Sequence, residues 1–379
     1  MQDRTPDRGH LLPALLLSAL IVLLAPFAGV LQQRLRTLVG EGYRSALAVI
    51  FLVALLGLLA AALVRARRRA FWPRAGLILL AVALMTLQVA GWNRSDAAVN
   101  AVERLHFLYF GLLALCFHRH FRRRGDWSMF PLTLIAVTLV GLADESLQFV
   151  LAVRVGDGLD VALNAYAGLC GLLVAIAVMP PEIPLRALSP GSARLLAGAT
   201  GALVLFLGMF VDRLHTGHEI CAPDLDACFR SAYTAAELER LARSRAESWR
   251  RRPPTRPGPL ALEDHYQTEA MRHVLFRGAA LRRGDLETAW RENQLLERYF
   301  APFLALGSGW TAEQRQRIEA RRAESAASPY VSPVFRSYAR KLFIRRSRPV
   351  YWGIVAAVVL ACWLPLWKRT SIAPRPPSP

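Results

Sequence analysis

Ionisable and amide side chains are concentrated between Leu139 and Asn164, inside two runs of apolar residues. The sequence there is LVGLADESLQFVLAVRVGDGLDVALN. A charged side chain at the centre of a membrane costs about 2.5–3.5 kcal/mol on insertion scales, so several of them together indicate a use. Acids and amides can bind hydroxyl or amine groups, an arginine can bind a phosphate, and a carboxylate near a histidine can transfer protons. These residue types predict a polar site in a membrane.

Nine residues on four chain segments form the candidate site, because the predicted topology brings them to one level of the membrane. They are Glu103, His106, Asp144, Glu145, Gln148, Arg154, Asp157, Asp160 and Asn164. Asp144 and Gln148 are four residues apart and share a helix face, as do Asp160 and Asn164. Adjacent Asp144 and Glu145 are expected to point to different faces, which weighs against a hydrolase with paired carboxylates.

The elements that must position these residues are membrane helices. The chain has 379 residues, of which 54% are hydrophobic. The apolar residues form runs of about 18–21, the length that a helix needs to cross a bilayer. The predicted fold is all-α, a polytopic bundle of about eight spans with a small helical extramembrane domain between spans seven and eight. The predicted spans are residues 11–31, 46–64, 75–92, 105–118, 129–151, 161–179, 193–211 and 350–367.

The positive charge sets the orientation. The formal charge is +19, from 47 Lys and Arg against 28 Asp and Glu. Much of it lies in the short loops at residues 65–69 and 119–124, which is typical of cytoplasmic loops facing anionic lipid and weighs against a nucleic-acid partner. Both termini are then cytoplasmic and residues 212–349 extracytoplasmic, in a bacterial inner membrane. The basic residues at 336–348 argue the other way, but charges on a long translocated domain count for less.

The predicted domains are an N-terminal membrane hairpin (1–74), a membrane core (75–180), a seventh span (181–211), an extracytoplasmic helical domain (212–349), a last span (350–367) and a disordered tail (368–379). In the helical domain, Thr234 with Glu237 and Thr311 with Gln314 fit capping boxes. Gly284 and Asp285 fit the end of one helix and the start of the next. The domain is interpreted as a small bundle covering the membrane part, with a peptide-binding repeat as the alternative.

Cysteine and histidine patterns give one positive prediction. Cys221 and Cys228 lie in the polar segment CAPDLDAC and can form a disulfide bond if that segment is exported. His215 and His218 form an H-x-x-H pair, but such pairs are more often solvated than metal-bound, so no metal site is predicted. The sequence contains no P-loop, G-x-S-x-G, C-x-x-C or HExxH motif, and no cofactor is predicted.

The order and spacing of the site residues resemble the VanZ-like family of bacterial membrane proteins. The motif residues are Glu103-Arg-Leu-His106 with Tyr109, Asp144-Glu145-Ser-Leu-Gln148, and Arg154-Val-Gly-Asp157 with Asp160 and Asn164. The resemblance covers about residues 75–180, and residues 212–349 have no counterpart in the minimal family pattern. Where the family often has a Lys before the His, this chain has Glu103 and Arg104, so Arg104 or Arg154 would have to supply that charge.

The resemblance implies a location rather than a reaction. The family's prototype is linked to resistance to teicoplanin, a glycopeptide that binds cell-wall precursors, and no reaction is established for the family at large. Three interpretations of the polar residues remain open: mutual pairing that locks the bundle, a binding site for an anionic or sugar-bearing lipid headgroup, and an enzyme that uses Asp144, Glu145 and His106 as acid and base. The expected partner is a membrane lipid or lipid-linked cell-wall precursor, and residues 212–349 offer a surface for recruiting envelope proteins.

Overall fold

The computed structural model describes residues 11–66, 71–91, 97–181, 184–215, 217–255, 257–322, 329–334 and 348–367. The chain is mostly helical and divides into two compact units. Unit 1 contains residues 1–149, 156–212 and 342–379, and unit 2 contains residues 150–155 and 213–341. The predicted disordered tail, 368–379, lies outside the described residues.

Helices make up most of the described residues, and short strands occur in unit 2. The helices, in chain order, are α1 Leu12–Leu24, α2 Ala28–Val39, α3 Tyr43–Ala66, α4 Phe71–Gly91, α5 Ala97–Phe121, α6 Met129–Val150, α7 Gly158–Val178, α8 Pro190–His215, α9 Ala235–Arg251, α10 His265–Arg282, α11 Leu286–Tyr299, α12 Ala301–Phe303, α13 Ala312–Glu319 and α14 Arg348–Trp367. The strands are β1 His218–Ala222, β2 Ala227–Ser231 and β3 Tyr330–Val331.

Several helices of unit 1 are those of a membrane protein. Among the described residues, five helical segments are long and apolar enough to cross a membrane: Leu12–Val39, Phe71–Gln88, Met129–Val150, Gly158–Val178 and Pro190–Leu214. Arg348–Leu364 is apolar but shorter. Leu23 and Leu79 are examples of large side chains exposed on these helices, an arrangement that water disfavours and lipid accommodates.

Two helix boundaries in unit 1 can be compared with the sequence. The first helical stretch runs on to Val39, beyond the predicted end at residue 31, through a 3-10 turn at Ala25–Phe27. Pro26 lies in the first turn of that segment, where its missing N–H is tolerated. The helix that carries His106 is longer than the predicted span 105–118, because α5 begins at Ala97 and ends at Phe121.

Helices α5, α6 and α7 pack closely, and small residues make this possible. A Cβ atom at Gly171 of α7 would lie 2.4 Å from the Gly111 Cα of α5, so the two backbones are in direct contact there. A Cβ atom at Gly168 would lie 2.6 Å from Val137 Cγ1 of α6. Small residues at helix crossings are how membrane helices maximise van der Waals contact. The core between these helices also contains buried Phe110, Leu113 and Ala167.

The last helix, α14, runs antiparallel to α8. The Tyr351 hydroxyl donates to the Gly208 carbonyl at 2.8 Å, and Trp363 Nε1 donates to the Gly198 carbonyl at 3.4 Å. At one end, Arg348 Nε and Nη2 donate to the two carboxylate oxygens of Asp212 at 3.0 and 2.8 Å. The intervening segment, residues 213–347, therefore leaves and rejoins this helix pair at the same end.

Unit 2 contains a small sheet that the all-α prediction omitted. Strands β1 and β2 pair antiparallel, and β3 adds to β2 in parallel. Cys221 and Cys228 lie directly opposite each other on β1 and β2 and form a disulfide bond. Strands this short are seldom visible in a sequence, because five residues carry little alternation.

The helix ends of unit 2 follow the capping rules. Both predicted capping boxes, at Thr234 and Thr311, are confirmed. Gly284 has a left-handed backbone, with φ of +76°, and Asp285 accepts a hydrogen bond from the Thr288 amide, so α10 and α11 form the predicted hairpin. Asp264 caps α10 by accepting from the amides of residues 266 and 267.

The buried face of α10 contains charged as well as apolar side chains. Tyr266 and Ala270 are buried in the core of unit 2, as their helical spacing predicts, but Glu269, His273 and Arg277 are buried as well. A pattern based on apolar spacing assigns charged residues to the solvent side, so it cannot detect a charged side chain that is buried with partners.

Candidate functional site

Three predicted site residues lie buried in the last two turns of α6. Asp144, Glu145 and Gln148 all have little exposed surface. Gln148 Nε2 lies 3.1 Å from Asp144 Oδ2 and 3.1 Å from Glu145 Oε1 and can donate to both. The expectation that the two adjacent carboxylates point apart is therefore wrong. The Glu145 side chain is one methylene longer, which lets its carboxylate reach the same amide as that of Asp144.

The turn that leads into α7 is fixed by Glu145. Its Oε2 accepts a hydrogen bond from the Asp157 backbone amide at 2.9 Å. Asp157 in turn caps α7, since its Oδ1 accepts from the Leu159 amide at 2.9 Å. A Cβ atom at Gly156 would lie 2.5 Å from the Glu145 carbonyl oxygen, so only glycine fits where the turn crosses α6. The two helix ends are thus held together by polar contacts.

Two further predicted residues continue along α7. Asp160 lies in the first turn, where a negative charge is stabilised by the helix dipole. Asn164, one turn further, is completely buried, and neither Oδ1 nor Nδ2 has a hydrogen-bond partner among the described residues. Its side chain packs on Gly141 of α6, where an added Cβ atom would lie 2.8 Å from Asn164 Cβ. Gly141 therefore makes the space in which Asn164 lies.

Together these six residues form what we call the polar column: Asp144, Glu145, Gln148, Asp157, Asp160 and Asn164. It extends from the α6–α7 turn to Asn164, and seven residues of helix correspond to about 10 Å. Beyond Asn164 the two helices make apolar contact, with Gly168 against Val137. The polar residues shared by these two helices therefore end at Asn164.

Helix α5 places His106 at the depth of Asn164. Phe107 packs against Tyr166 of α7, with ring centroids 6.2 Å apart, and Gly111 meets Gly171 further along. This register makes α5 and α7 parallel. The half-buried His106 ring lies 5.0 Å from the Tyr109 ring of its own helix. Glu103 also lies on α5, one turn before His106, but its side chain is outside the described part of the structure.

The remaining predicted residues lie in unit 2. Arg154 is half-buried in the α6–α7 loop, and the loop residues 150–155 belong to that unit. His218 is exposed on β1, and the side chain of His215 lies outside the described residues. Within the part of the chain that the structure describes, no three His, Cys, Asp or Glu side chains are grouped as metal ligands.

Unit 2 holds a buried polar network that sequence reasoning missed. His273 Nδ1 lies 2.5 Å from Glu292 Oε2, and the Tyr330 hydroxyl donates to Glu292 Oε1 at 2.5 Å. Burial and the neighbouring Glu292 carboxylate raise the pKa of Tyr330 well above its usual range. One turn to either side, Glu269 and Arg277 are also buried. The signal in the sequence was the spacing of Glu269, His273 and Arg277, each four residues from the next.

The groups of this network have hydrogen-bond partners within unit 2. Glu269 accepts hydrogen bonds from the Ser231 hydroxyl and the Ala232 amide, both at 2.7 Å, although burial still raises its pKa. Arg277 donates to Asn293 Oδ1 and to the Ser308 carbonyl, both at 2.5 Å. Because its polar atoms have these partners, we interpret the network as part of the core of unit 2, in contrast to Asn164 in the polar column.

Comparisons with family models, with curated proteins and with solved structures find no match to this chain. The function must therefore be inferred from the polar column itself: which of its groups bind one another, and which are left to bind something else.

Proposed function

We propose that this chain is a VanZ-like integral membrane protein of the bacterial cell envelope, and that its polar column binds a lipid-linked or anionic envelope component at the outer leaflet. The observation that carries the proposal is the buried amide of Asn164, which has no hydrogen-bond partner among the described residues. An unsatisfied buried polar group costs about 1–3 kcal/mol, so a residue that merely fastened helices would be paired.

The paired groups of the column give it a fixed shape. Gln148 lies between Asp144 and Glu145, and Glu145 binds the Asp157 amide. A ligand with hydroxyl, amine or amide groups suits the carboxylates and the Asn164 amide. Arg154, three residues before Asp157 in the chain, is the residue proposed for a phosphate, because a guanidinium can bind phosphate oxygens in a bidentate manner.

We further propose about eight spans, with both termini cytoplasmic and residues 212–349 outside. Disulfide bonds persist in oxidising compartments, and Cys221 and Cys228 form one. The pairing of Arg348 with Asp212 supports a single side for both ends of the intervening segment. The arginine-rich loops near residues 65–69 and 119–124 support a cytoplasmic side for the opposite helix ends.

The test is a set of single substitutions, Asp144→Asn, Glu145→Gln, His106→Ala and Arg154→Ala. Thermal unfolding in detergent and susceptibility of cells to teicoplanin are measured for each. The matched control is Thr138→Val, since among the described residues the Thr138 hydroxyl on α6 donates to the Leu134 carbonyl of its own helix. We expect near-normal unfolding temperatures with altered susceptibility for the site variants, and no change in either for the control.

If every site variant loses stability, and the loss of stability accounts for any change in susceptibility, the residues only lock the bundle. Lipids that co-purify with the wild-type protein are then compared with those of the Asp144→Asn variant by mass spectrometry. A lipid lost from the variant identifies the ligand of the column.

An enzyme is the second candidate, and one observation favours it. The carboxylates of Asp144 and Glu145 face a common amide, and two carboxylates in different surroundings are the usual pair for acid–base chemistry. Incubating the reconstituted protein with the co-purified lipid distinguishes the two functions, because an enzyme converts the lipid and a binding protein returns it unchanged.

A further inference from the structure

Unit 2 contains a two-stranded strip that the polar column does not use. The Ala152 amide donates to the Ala261 carbonyl at 3.1 Å, and the Glu263 amide donates to the Val150 carbonyl at 3.1 Å. Between these bonds Leu151 and Leu262 form an antiparallel β-bridge. We call residues 150–155 and 258–263 the strap. It ties the loop between α6 and α7 to the segment that precedes α10.

One face of the strap is apolar and exposed. Leu260 is 66% exposed and Leu262 is 77% exposed, whereas the intervening Ala261 is half-buried and the Glu263 side chain is only 3% exposed. This is the alternation of a strand. The Ala261 amide binds the Gly258 carbonyl at 3.0 Å, which closes a turn with Leu260 at its tip. On the loop side of the strap, three more large aliphatic side chains are exposed: Val150, Val153 and Val155.

Basic residues precede the strap in the chain. Arg250, Arg251 and Arg252 at the end of α9 are all exposed, and only a few residues separate them from the strap. A cluster of arginines beside exposed leucines is the composition of segments that lie on anionic membranes, where the charges meet headgroups and the apolar side chains enter the acyl boundary.

The chain itself brings the strap to the membrane boundary. Residues 149 and 156 belong to α6 and to the turn before α7, and both helices are long and apolar enough to cross a membrane. On the proposed topology, on which this inference rests, the loop 150–155 connects the ends at which these two helices leave the bilayer. Its hydrogen bonds hold residues 261–263 beside it.

We propose that the strap is a membrane-docking surface of unit 2. Leu260 and Leu262 insert at the boundary between headgroups and acyl chains, and Arg250–Arg252 bind anionic headgroups of the same leaflet. Five exposed aliphatic side chains at this depth are disfavoured in water and stabilised in lipid. This contact is separate from the headgroup held in the polar column.

The test places a nitroxide spin label at residue 262 of the full-length chain, as Leu262→Cys, in a background in which Cys116, Cys170 and Cys362 are replaced by alanine. The matched control is Leu275→Cys on α10, a leucine of the same unit that is 61% exposed. The protein is reconstituted in vesicles of phosphatidylcholine and phosphatidylglycerol. Collisions of each label with oxygen, which concentrates in lipid, and with a neutral nickel chelate, which stays in water, are measured by electron paramagnetic resonance.

We expect the ratio of oxygen to chelate collisions to be several-fold higher at residue 262 than at residue 275. Equal ratios at the two positions would overturn the proposal. Protection of residue 262 from both agents would also overturn it, because that result indicates a protein partner on the strap. Melting curves of both labelled proteins must match that of the background, and the less invasive site Val153→Cys replaces residue 262 if they do not.

The basic residues have their own test in the same system. We expect the collision ratio at residue 262 to fall when phosphatidylglycerol is left out of the vesicles, and to fall to the same extent in the triple variant Arg250→Gln, Arg251→Gln, Arg252→Gln. A collision ratio that is the same after both changes would show that the arginines do not bind anionic headgroups.

Discussion

Replacing Asn164 by leucine tests whether this residue binds a ligand or only stabilises the packing of the helices. Leucine has the same number of side-chain heavy atoms and the same branching as asparagine, so the contact with Gly141 is preserved. The Oδ1 and Nδ2 atoms of Asn164 are buried without a hydrogen-bond partner among the described residues. The substitution removes two unsatisfied polar atoms and leaves the packing in place.

The expected gain in stability follows from the removal of Oδ1 and Nδ2 of Asn164. Each unsatisfied buried group costs about 1–3 kcal/mol in a protein interior. A hydrogen bond between polar groups of membrane helices contributes less to the free energy of unfolding, on average about 0.6 kcal/mol. The reason is that these groups also find partners in the unfolded state within the membrane. We therefore expect Asn164→Leu to raise the free energy of unfolding by about 1–2 kcal/mol, near the lower end of the first estimate.

The assay combines stability with ligand retention. Unfolding of the purified variant in a mild detergent is followed as denaturant is added, with Thr138→Val as the control for loss of a satisfied hydroxyl on α6. Co-purifying lipid is measured in the same samples. A more stable protein that has lost its lipid supports the binding site. A less stable Asn164→Leu protein would refute the reasoning, because the amide would then have a partner that leucine cannot replace.

Three other perturbations test the fold. Gly171→Ala should lower stability by about 1–3 kcal/mol, because its Cβ atom would lie 2.4 Å from the α5 backbone; Gly76→Ala, in open space, should be harmless in the same detergent melts. Serine at both Cys221 and Cys228 should destabilise unit 2 by about 2–3 kcal/mol, given the short loop they close, and unchanged hydrogen exchange at β1 and β2 would contradict this. Burial raises the pKa of Glu269 above 4.5, so its contribution to stability is complete below pH 4.5 and is lost as the pH rises through the folded value. The difference in exchange protection between the wild type and Glu269→Gln should therefore fall with rising pH, and a constant difference would show that the pKa is not raised.

The sequence predicts local structure well where residues close together in the chain determine it. Thr234 with Glu237 and Thr311 with Gln314 cap helices as expected, because a capping box depends only on residues within one turn. The apolar run at 105–118 predicts the centre of α5 but not its polar ends, since the helix covers Ala97–Phe121. The short strands were missed because runs of two to five residues carry little alternation.

The candidate site shows which structural features sequence patterns do not predict. Spacing identifies the helix faces of Gln148 and Asn164, but it does not tell which polar atoms bind one another. Side-chain length decides that Glu145 reaches the same amide as Asp144. Gly141 and Gly156 carry no functional group, and only the close approach of the backbones shows that the site needs them. A glycine three residues before Asp144 is a signal that could have been used.

The apolar contact beyond Asn164 favours the proposed binding site over a conduit between α6 and α7. A path for ions or protons through a membrane needs polar groups or water across its whole thickness of about 30 Å. The column reaches only about 10 Å from the turn, and beyond Asn164 the Gly168 backbone is pressed against Val137 with no room for a further methyl group. This geometry is compatible with the proposal that a headgroup is held at the membrane surface. Under that proposal, Asn164 is the residue that meets the innermost part of the ligand.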